Sequence, residues 1–258
     1  MKALSVIKIG GGLVGALSDF WPAVRELRTT SDVILVHGGG PQATAMARRL
    51  GHEPTIIHGR RVTSDLDLDI VRWTMRGQIN LALSAGAQAA GLSAAGLAGA
   101  DGGILKVRRR PPWNVDGEEV DFGWVGDVEE VDPSLLRTLL DAGVMPIVAP
   151  LGIDHQGQVY NVNADTVAAS IATTMKARDL LLVTDAGCLR RGPQERAERV
   201  SNCDRAGFQS GVEEGWIQGG MRVKIQLALE AIEGGVGQVW VTGAGDVARR
   251  DHATRITA

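Results

Sequence analysis

Apolar positions in this chain fall into short continuous runs, separated by segments with helical spacing. "ALSVIKI" (3–9), "DVILVH" (32–37), "VMPIVAP" (144–150), "DLLLVTD" (179–185) and "QVWVTG" (238–243) are apolar at successive positions. That is the pattern of strands buried on both faces. Between them, "SDFWPAVRELR" (18–28) predicts a helix with Ser18 as its cap. "PQATAMARRLG" (41–51) opens with proline in the first turn and closes with glycine. "DPSLLRTLLDAG" (132–143) has the same punctuation, with Asp132 as cap and Pro133 at the first position. "ADTVAASIATTMKA" (164–177) and "GMRVKIQLALEAIEGG" (220–235) also read as helices. "SDLDLDIVRWTMRGQINLALSAGAQAAG" (64–91) starts with acids that suit a helix N-terminus. It predicts one long helix or two, broken at Gly77 or Gly86. Repeated β-α alternation of this kind implies an α/β fold: a three-layer αβα sandwich around a mainly parallel, open central sheet.

Three segments depart from the alternation. In 104–126 the pair Asp116-Gly117 lies between alternating stretches, which predicts a projecting β-hairpin. "LGIDHQGQVYNVN" (151–163) predicts a second hairpin, and 189 to about 215 reads as polar and loop-rich.

Composition narrows the classes. The 258 residues suit one large α/β domain or two lobes, and 44% apolar content excludes a disordered chain. A net charge of -3 argues against a polybasic nucleic-acid surface. No run approaches the ~18 apolar residues of a membrane span, and no signal-peptide pattern opens the chain. The expectation is a cytoplasmic protein with no membrane and no nucleic-acid partner. Cys188 and Cys203 lack zinc-like companions and read as free thiols.

The 27 basic residues include five lysines, so a lysine in an unusual place is informative. Lys8 is one. It sits inside an apolar strand, shares parity with Leu4 and Val6, and is followed by Gly10-Gly11-Gly12. Either its amine snorkels to water at the strand end, or an anion holds it. A second glycine run, Gly38-Gly39-Gly40, follows the next strand. Glycines at the carboxyl ends of parallel strands let backbone N–H groups approach an anion closely. Gly10, Gly12 and Gly15 also fit a dinucleotide fingerprint, and "GAGDVA" (243–248) fits its looser form. The acid that such a fold needs after its second strand is replaced by His37 and glycines. "HGGG" can form an oxyanion hole in α/β-hydrolases, yet no G-x-S-x-G exists here, and "ALSAG" (82–86) has no strand before it. No lysine follows a glycine, so there is no Walker A loop.

Other residues admit two readings each. Lys224 borders the apolar face of the 220–235 helix near its start, where a cation opposes the dipole unless an anion is close. Asn163 fits a helix cap and Asp165 the first turn; capping leaves Asn161 unexplained. Arg60 and Arg61 precede a helix, where an arginine fork would suit a carboxylate, though a solvated loop would look the same. "VRRRPP" (107–112) is most simply a solvated hairpin arm.

Taken in order, "KIGGG" (8–12), "VHGGGP" (36–41), "GRRVT" (59–63), "VDFGWVGDVEEVD" (120–132), "NVNADTVAA" (161–169), "LLVTDAGCL" (181–189) and "IQGGMRVK" (217–224) resemble the amino acid kinase family, in its branch acting on N-acyl-glutamates. The segment around 107–132 is similar to the form found in Bacteroidota, for which a succinylated substrate has been suggested; its extra carboxylate would require a nearby basic residue, for which Arg108, Arg109 and Arg110 are the candidates. The resemblance implies that family's fold in two lobes, 1–176 for the acyl-glutamate and dimerisation and 177–258 for ATP. It implies phosphorylation of the side-chain carboxylate of N-acetyl-L-glutamate, or N-succinyl-L-glutamate, with ATP and Mg²⁺, the second step of arginine biosynthesis. Under it, Lys8 and Lys224 stabilise the transferring phosphoryl group and Asp165 orients both. Gly11, Gly12 and Gly220 would contact ATP, with Thr184 and Asp185 beside the nucleotide. Gly39, Gly40, Arg61 and Asn161 would hold the substrate under the 104–126 hairpin, with no metal-ligand set from the protein. The chain begins just before its first strand, so the expectation is an arginine-insensitive homodimer rather than a ring of six. Alternatives are a kinase of carrier-linked aminoadipate or glutamate, a non-catalytic nucleotide binder on the same fold, and the dinucleotide oxidoreductase above.

Overall fold

Eight strands form the central sheet of the computed structural model, which describes residues 2–15, 17–192 and 197–258. In space they run Asn202–Cys203, Thr254–Ile256, Gln238–Thr242, Asp179–Val183, Ala3–Ile9, Ser31–His37, Met145–Ala149 and Ala94–Ala98. Every neighbouring pair is parallel except Gln238–Thr242 with Thr254–Ile256. The register places Lys8 between Leu182 and Val36.

Side chains alternate across a strand, and this divides the core in two. Ile7, Ile9, Val33, Leu35 and Ile147 pack against Phe20, Val24 and Leu27 of helix Phe20–Leu27, and against Ile79, Leu83 and Ala87. On the other face Val6, Ile34, Val36, Leu180 and Leu182 meet Val167, Ala168 and Ile171 of helix Ala164–Thr174. Ile225, Ala228 and Leu229 of helix Gly219–Glu233 complete that layer. The result is the three-layer sandwich with a mainly parallel sheet that the pattern implies. Full burial of each such aliphatic side chain contributes about 1.5–3 kcal/mol. Lys8 has the parity of Val6, so it projects toward the face that carries the helices starting at Ala164 and Gly219.

A second sheet lies over the carboxyl ends of the strands in the order Val159–Asn161, Leu151–Ile153, Leu105–Arg109, Gly126–Val131. From it projects the hairpin Trp113–Val115/Glu118–Val120. Its turn residues Asp116 and Gly117 have φ of 54° and 91°, the left-handed pair that a two-residue hairpin needs.

The stretch 64–91 is not broken at either glycine. Helix Asp65–Val71 is capped by Ser64, whose Oγ accepts from Asp67 N–H at 3.2 Å while the Asp67 carboxylate reaches back to Ser64 N–H. It continues through a π-helical stretch, Arg72–Ile79, into helix Asn80–Ala89. Asn80 N–H donates to Met75 O, five residues back. Thr74 Oγ1 donates to Ile70 O at 2.7 Å, a back-bond that competes with the regular ladder. Gly77 lies inside the wide stretch. Gly86 is needed for packing, since a Cβ there would be 2.8 Å from Trp21 Nε1.

Other expectations need correction. Residue Asp19, not Ser18, precedes the first helix, with no side-chain cap bond. Asp132 accepts from Ser134 N–H at 2.9 Å, but the helix begins at Ser134, one residue later than expected. The stretch from 189 to 215 is less loop-like than its polarity suggests. It holds helix Arg205–Glu213, capped by Asp204, whose Oδ1 accepts from Gly207 N–H at 2.7 Å. Residues 193–196 of that stretch lie outside the described residues. Strands Ala94–Ala98 and Thr254–Ile256 went unread, because small or few residues leave no apolar run to see.

Candidate active site

Lys8 is 7% exposed although it is charged, and Lys224 is 8% exposed. Both meet one carboxylate. Lys8 Nζ lies 3.0 Å from Asp165 Oδ1, and Lys224 Nζ donates to the same oxygen at 2.6 Å. The three residues come from separate elements: the first strand, the first turn of helix Ala164–Thr174, and the second turn of helix Gly219–Glu233. Asn163 takes the capping work, its Oδ1 accepting from Thr166 N–H at 3.0 Å, which leaves Asp165 for the lysines.

The electrostatics are those of a group awaiting an anion. Burial would raise the Asp165 pKa, but the ammonium groups of Lys8 and Lys224 overcome it and hold the carboxyl below its usual range. Burial pushes Lys224 down to about 8; Asp165 opposes that shift and Lys8 adds to it. Two ammonium groups on one carboxylate leave a positive charge out of water, a costly state unless a ligand completes it.

A cavity of about 250 Å³ opens beside this cluster. Lys8, Gly11, Gly39, Gly40, Arg61, Asn161 and Asp165 all line it, so seven residues singled out in the sequence share one wall. Gly11 and Gly39 are tightly packed. A Cβ on Gly11 would lie 2.7 Å from Gln42 Oε1, and one on Gly39 would lie 2.5 Å from Ile79 Cδ1. Arg61 is held from behind: it donates to Asp67 Oδ1 at 3.1 Å and to Thr44 Oγ1 at 2.7 Å. Asn161 Nδ2 donates to Thr63 Oγ1 at 3.2 Å.

The remaining predicted residues, Gly12, Thr184, Asp185 and Gly220, do not line this cavity. Gly12 lies beside Asp185, whose Oδ2 would be 3.4 Å from a Cβ at residue 12. Thr184 donates its N–H to Thr242 O at 2.9 Å, and its buried Oγ1 has no partner among the described residues. Gly220 is in the first turn of the helix that carries Lys224, and that helix has no side-chain cap.

Sequence reasoning missed Met75 and left Arg60 and Arg110 with a solvated reading beside a carboxylate-binding one; all three line the same cavity. Arg110 is pinned by Asp127 Oδ1 at 2.6 Å, and Arg60 and Arg110 both lie over the Trp113 ring, at 4.9 and 4.2 Å from its centroid. A second cavity of about 580 Å³, lined by Ala186, Cys188, Leu189, Arg190, Gly215, Trp216, Gln218 and Met221, opens between the Asp185 turn and the Gly220 turn. Trp216 beside "IQGG" is the one sequence signal that could have pointed there.

The competing folds fail on this geometry. Gly11–Gly15 form a 3-10 turn rather than opening a dinucleotide-binding α-helix, and Ser84 of "ALSAG" lies inside helix Asn80–Ala89 rather than on a strand-to-helix elbow.

The matching family model is that of the amino acid kinase family, over residues 3–243. The chain belongs to the amino acid kinase family. It is 42% identical over 242 residues to an acetylglutamate kinase of Methanopyrus kandleri, covering 93% of this chain and 94% of that one. It is 39% identical over 261 residues to an acetylglutamate kinase of Bacteroides thetaiotaomicron, covering 99% and 98%. Among solved structures, a Streptococcus mutans protein, smu.665, superposes with a TM-score of 0.83 at 25% identity over the whole of both chains.

Proposed function

We propose that this chain transfers the γ-phosphoryl group of ATP to the side-chain carboxylate of an N-acyl-L-glutamate, N-acetyl-L-glutamate first of all, as an acetylglutamate kinase of arginine biosynthesis. The observation that carries the reading is the convergence of Lys8 and Lys224 on Asp165 beside a glycine-lined cavity. Relatives matched over nearly their whole length are acetylglutamate kinases, which favours neither a non-catalytic binder nor a carrier-linked substrate.

In this reading the acyl-glutamate occupies the 250 Å³ cavity. Arg61, braced by Asp67, forks its α-carboxylate and Asn161 bonds it nearby. Gly39 and Gly40 present backbone N–H groups to the reacting carboxylate. Gly11, Gly12 and Gly220 contact the ATP phosphates, Thr184 and Asp185 lie by the nucleotide, and the cavity around Trp216 takes its base. A carboxylate oxygen attacks the γ-phosphorus in line; the bond from phosphorus to the β-phosphate oxygen breaks and its electron pair leaves with ADP. Lys8 and Lys224 neutralise the charge spread over the equatorial oxygens, which is most of what phosphoryl transfer asks of a protein.

Among the described residues no group of three or more His, Cys, Asp or Glu is arranged to hold a metal ion, and Asp165 is taken by the lysines. The donors that fit Mg²⁺ are therefore the nucleotide phosphates and water, where it would neutralise charge. The division into an acyl-glutamate lobe (1–176) and an ATP lobe (177–258) belongs to the same reading, as do a cytoplasmic setting and a homodimer. No helix among the described residues is long and apolar enough to cross a membrane.

The test is a coupled assay with ATP, Mg²⁺ and either N-acetyl- or N-succinyl-L-glutamate, with the acyl phosphate trapped by hydroxylamine. ADP release together with hydroxamate is the expected outcome. Release of neither product with both acyl-glutamates would remove the enzyme assignment.

A further inference from the structure

His37 ends the second strand of the sheet, is 0% exposed, and plays no part in the chemistry above. Its surroundings fix its protonation. Asn80 Nδ2 donates to Ile147 O at 2.9 Å and to Leu97 O at 3.2 Å, so the two carbonyls identify that atom as the amide nitrogen. The same Nδ2 lies 3.1 Å from His37 Nε2, its two hydrogens being shared among these three contacts; since an amide nitrogen does not accept, Nε2 is the bare ring nitrogen. In a neutral ring the proton is left on Nδ1. Nδ1 lies 3.0 Å from Gly38 O and donates to it. Burial also pushes the imidazole down to about 4, so the ring is neutral at physiological pH.

The Gly38 carbonyl belongs to the turn that lines the substrate cavity. Among the described residues no peptide bond is cis, so within the plane of the Gly38–Gly39 peptide the Gly39 N–H and Gly38 O point in opposite directions. His37 shares strand parity with Val33 and Leu35, whose face is that of Ile79 and Leu83. With Gly38 O held by a ring on that face, the opposed Gly39 N–H is left to the side of the sheet on which Lys8 and Asp165 meet. Behind Asn80 the chain of contacts continues: its Oδ1 accepts from Arg76 Nη1 at 3.3 Å, and Arg76 Nε lies 3.5 Å from Asp101 Oδ2.

We propose that His37 is a positioning residue: its Nδ1–H, set by Asn80, holds the Gly38 carbonyl inward and so aims the Gly39 N–H at the reacting carboxylate. This rests on the reading that Gly39 holds that carboxylate, whereas the hydrogen-bond arrangement stands by itself. Such a donor, fixed before substrate arrives, costs no reorganisation during the reaction.

Two measurements test it. In the full-length protein labelled with ¹⁵N-histidine, His37 is expected to show the neutral Nδ1–H tautomer at pH 7.5. An Nε2–H or doubly protonated ring would overturn the proposal whatever the activity. In the kinetic arm, His37→Asn places an amide N–H near the Nδ1 position, and His37→Leu removes it. His37→Leu is expected to lower kcat on the order of 100-fold, the size of effect of losing one oxyanion donor, with KM for ATP unchanged and circular dichroism native. His37→Asn should recover most of that loss. Equal kcat in a folded His37→Leu protein, or no recovery in a folded His37→Asn protein, would overturn it. If the Leu variant does not fold, the nitrogen spectrum of the unaltered protein decides. An unaltered protein that forms no acyl phosphate yet shows the Nδ1–H ring would indict the substrate assignment instead.

Discussion

Lys224 is the residue on which the site's chemistry can be read most directly. Its ammonium is buried and shares Asp165 with Lys8. In the proposed reaction Lys224→Ala removes one donor to the migrating phosphoryl group, and kcat is expected to fall by roughly two orders of magnitude, about 3 kcal/mol of barrier. Steady-state kinetics beside circular dichroism checks this; near-normal turnover in the folded variant would exclude Lys224 from the site. Its titration gives a second prediction. With the pKa lowered to about 8, the amine loses its proton as pH rises through that value, and a neutral amine cannot balance phosphate charge. Activity in kcat/KM, which reports the free enzyme, should therefore fall above about pH 8. Bound ATP favours the charged amine and raises its pKa, so the falling limb of kcat should lie at higher pH. A kcat limb at or below that of kcat/KM would contradict the assignment.

At the scale of elements, the site is a meeting of two glycine turns with two helix starts, and what the sequence revealed follows from that. The strand ends were legible because parallel strands are continuously apolar and the glycines that follow them are conspicuous. Lys8 was legible from parity alone: one charged residue at a position matching Val6 had to point into the layer between strand and helices. Asp165 and Lys224 were harder. A first-turn aspartate is ordinary capping chemistry, and a lysine at the edge of an apolar face is ordinary surface chemistry; their resemblance to a family pattern, not their spacing, singled them out. Arg60 and Arg110 were legible only as residues with two readings, because a run of arginines looks solvated until a tertiary partner such as Trp113 is seen beneath it. The wide stretch Arg72–Ile79 was hidden for another reason. Helical periodicity continues on both sides of it, and Gly77 drew attention as a break that the chain does not make. Gly39 turns this packing into a prediction. A Cβ there would lie 2.5 Å from Ile79 Cδ1 and 3.1 Å from Met75 Cγ. Gly39→Ala should destabilise the protein by about 1–3 kcal/mol, the usual cost of overpacking, and raise KM for the acyl-glutamate more than KM for ATP. Thermal unfolding with both KM values measures this, and an unchanged acyl-glutamate KM would separate Gly39 from substrate.

For the whole molecule, the exposed large apolar side chains are concentrated rather than scattered. Leu66, Trp73 and Leu81 are 42%, 54% and 68% exposed along one continuous helix, and Leu50 and Ile56 are exposed just before it. Large apolar side chains exposed along one helix point to an interaction surface. A second copy of the chain is the occupant that fits the proposed homodimer. Trp73→Glu should yield a monomer in sedimentation velocity, and a variant that sediments with the unaltered protein would move the dimer contact elsewhere.

The wide stretch Arg72–Ile79 also bears on insertions and deletions. A π-type turn carries one residue more than the α-helical path between the same two ends. Excising one residue, Gly77 for instance, would let the ladder close in the ordinary i to i−4 manner while Asn80 kept its bearing toward His37 and Trp73 kept its outward bearing. Adding one residue offers no such repair and would swing Asn80 about 100° around the axis. The shortened protein should therefore melt near the parental temperature, while the lengthened one should lose cooperative melting. Reversed tolerance in a scanning calorimeter would mean that the extra residue is itself required.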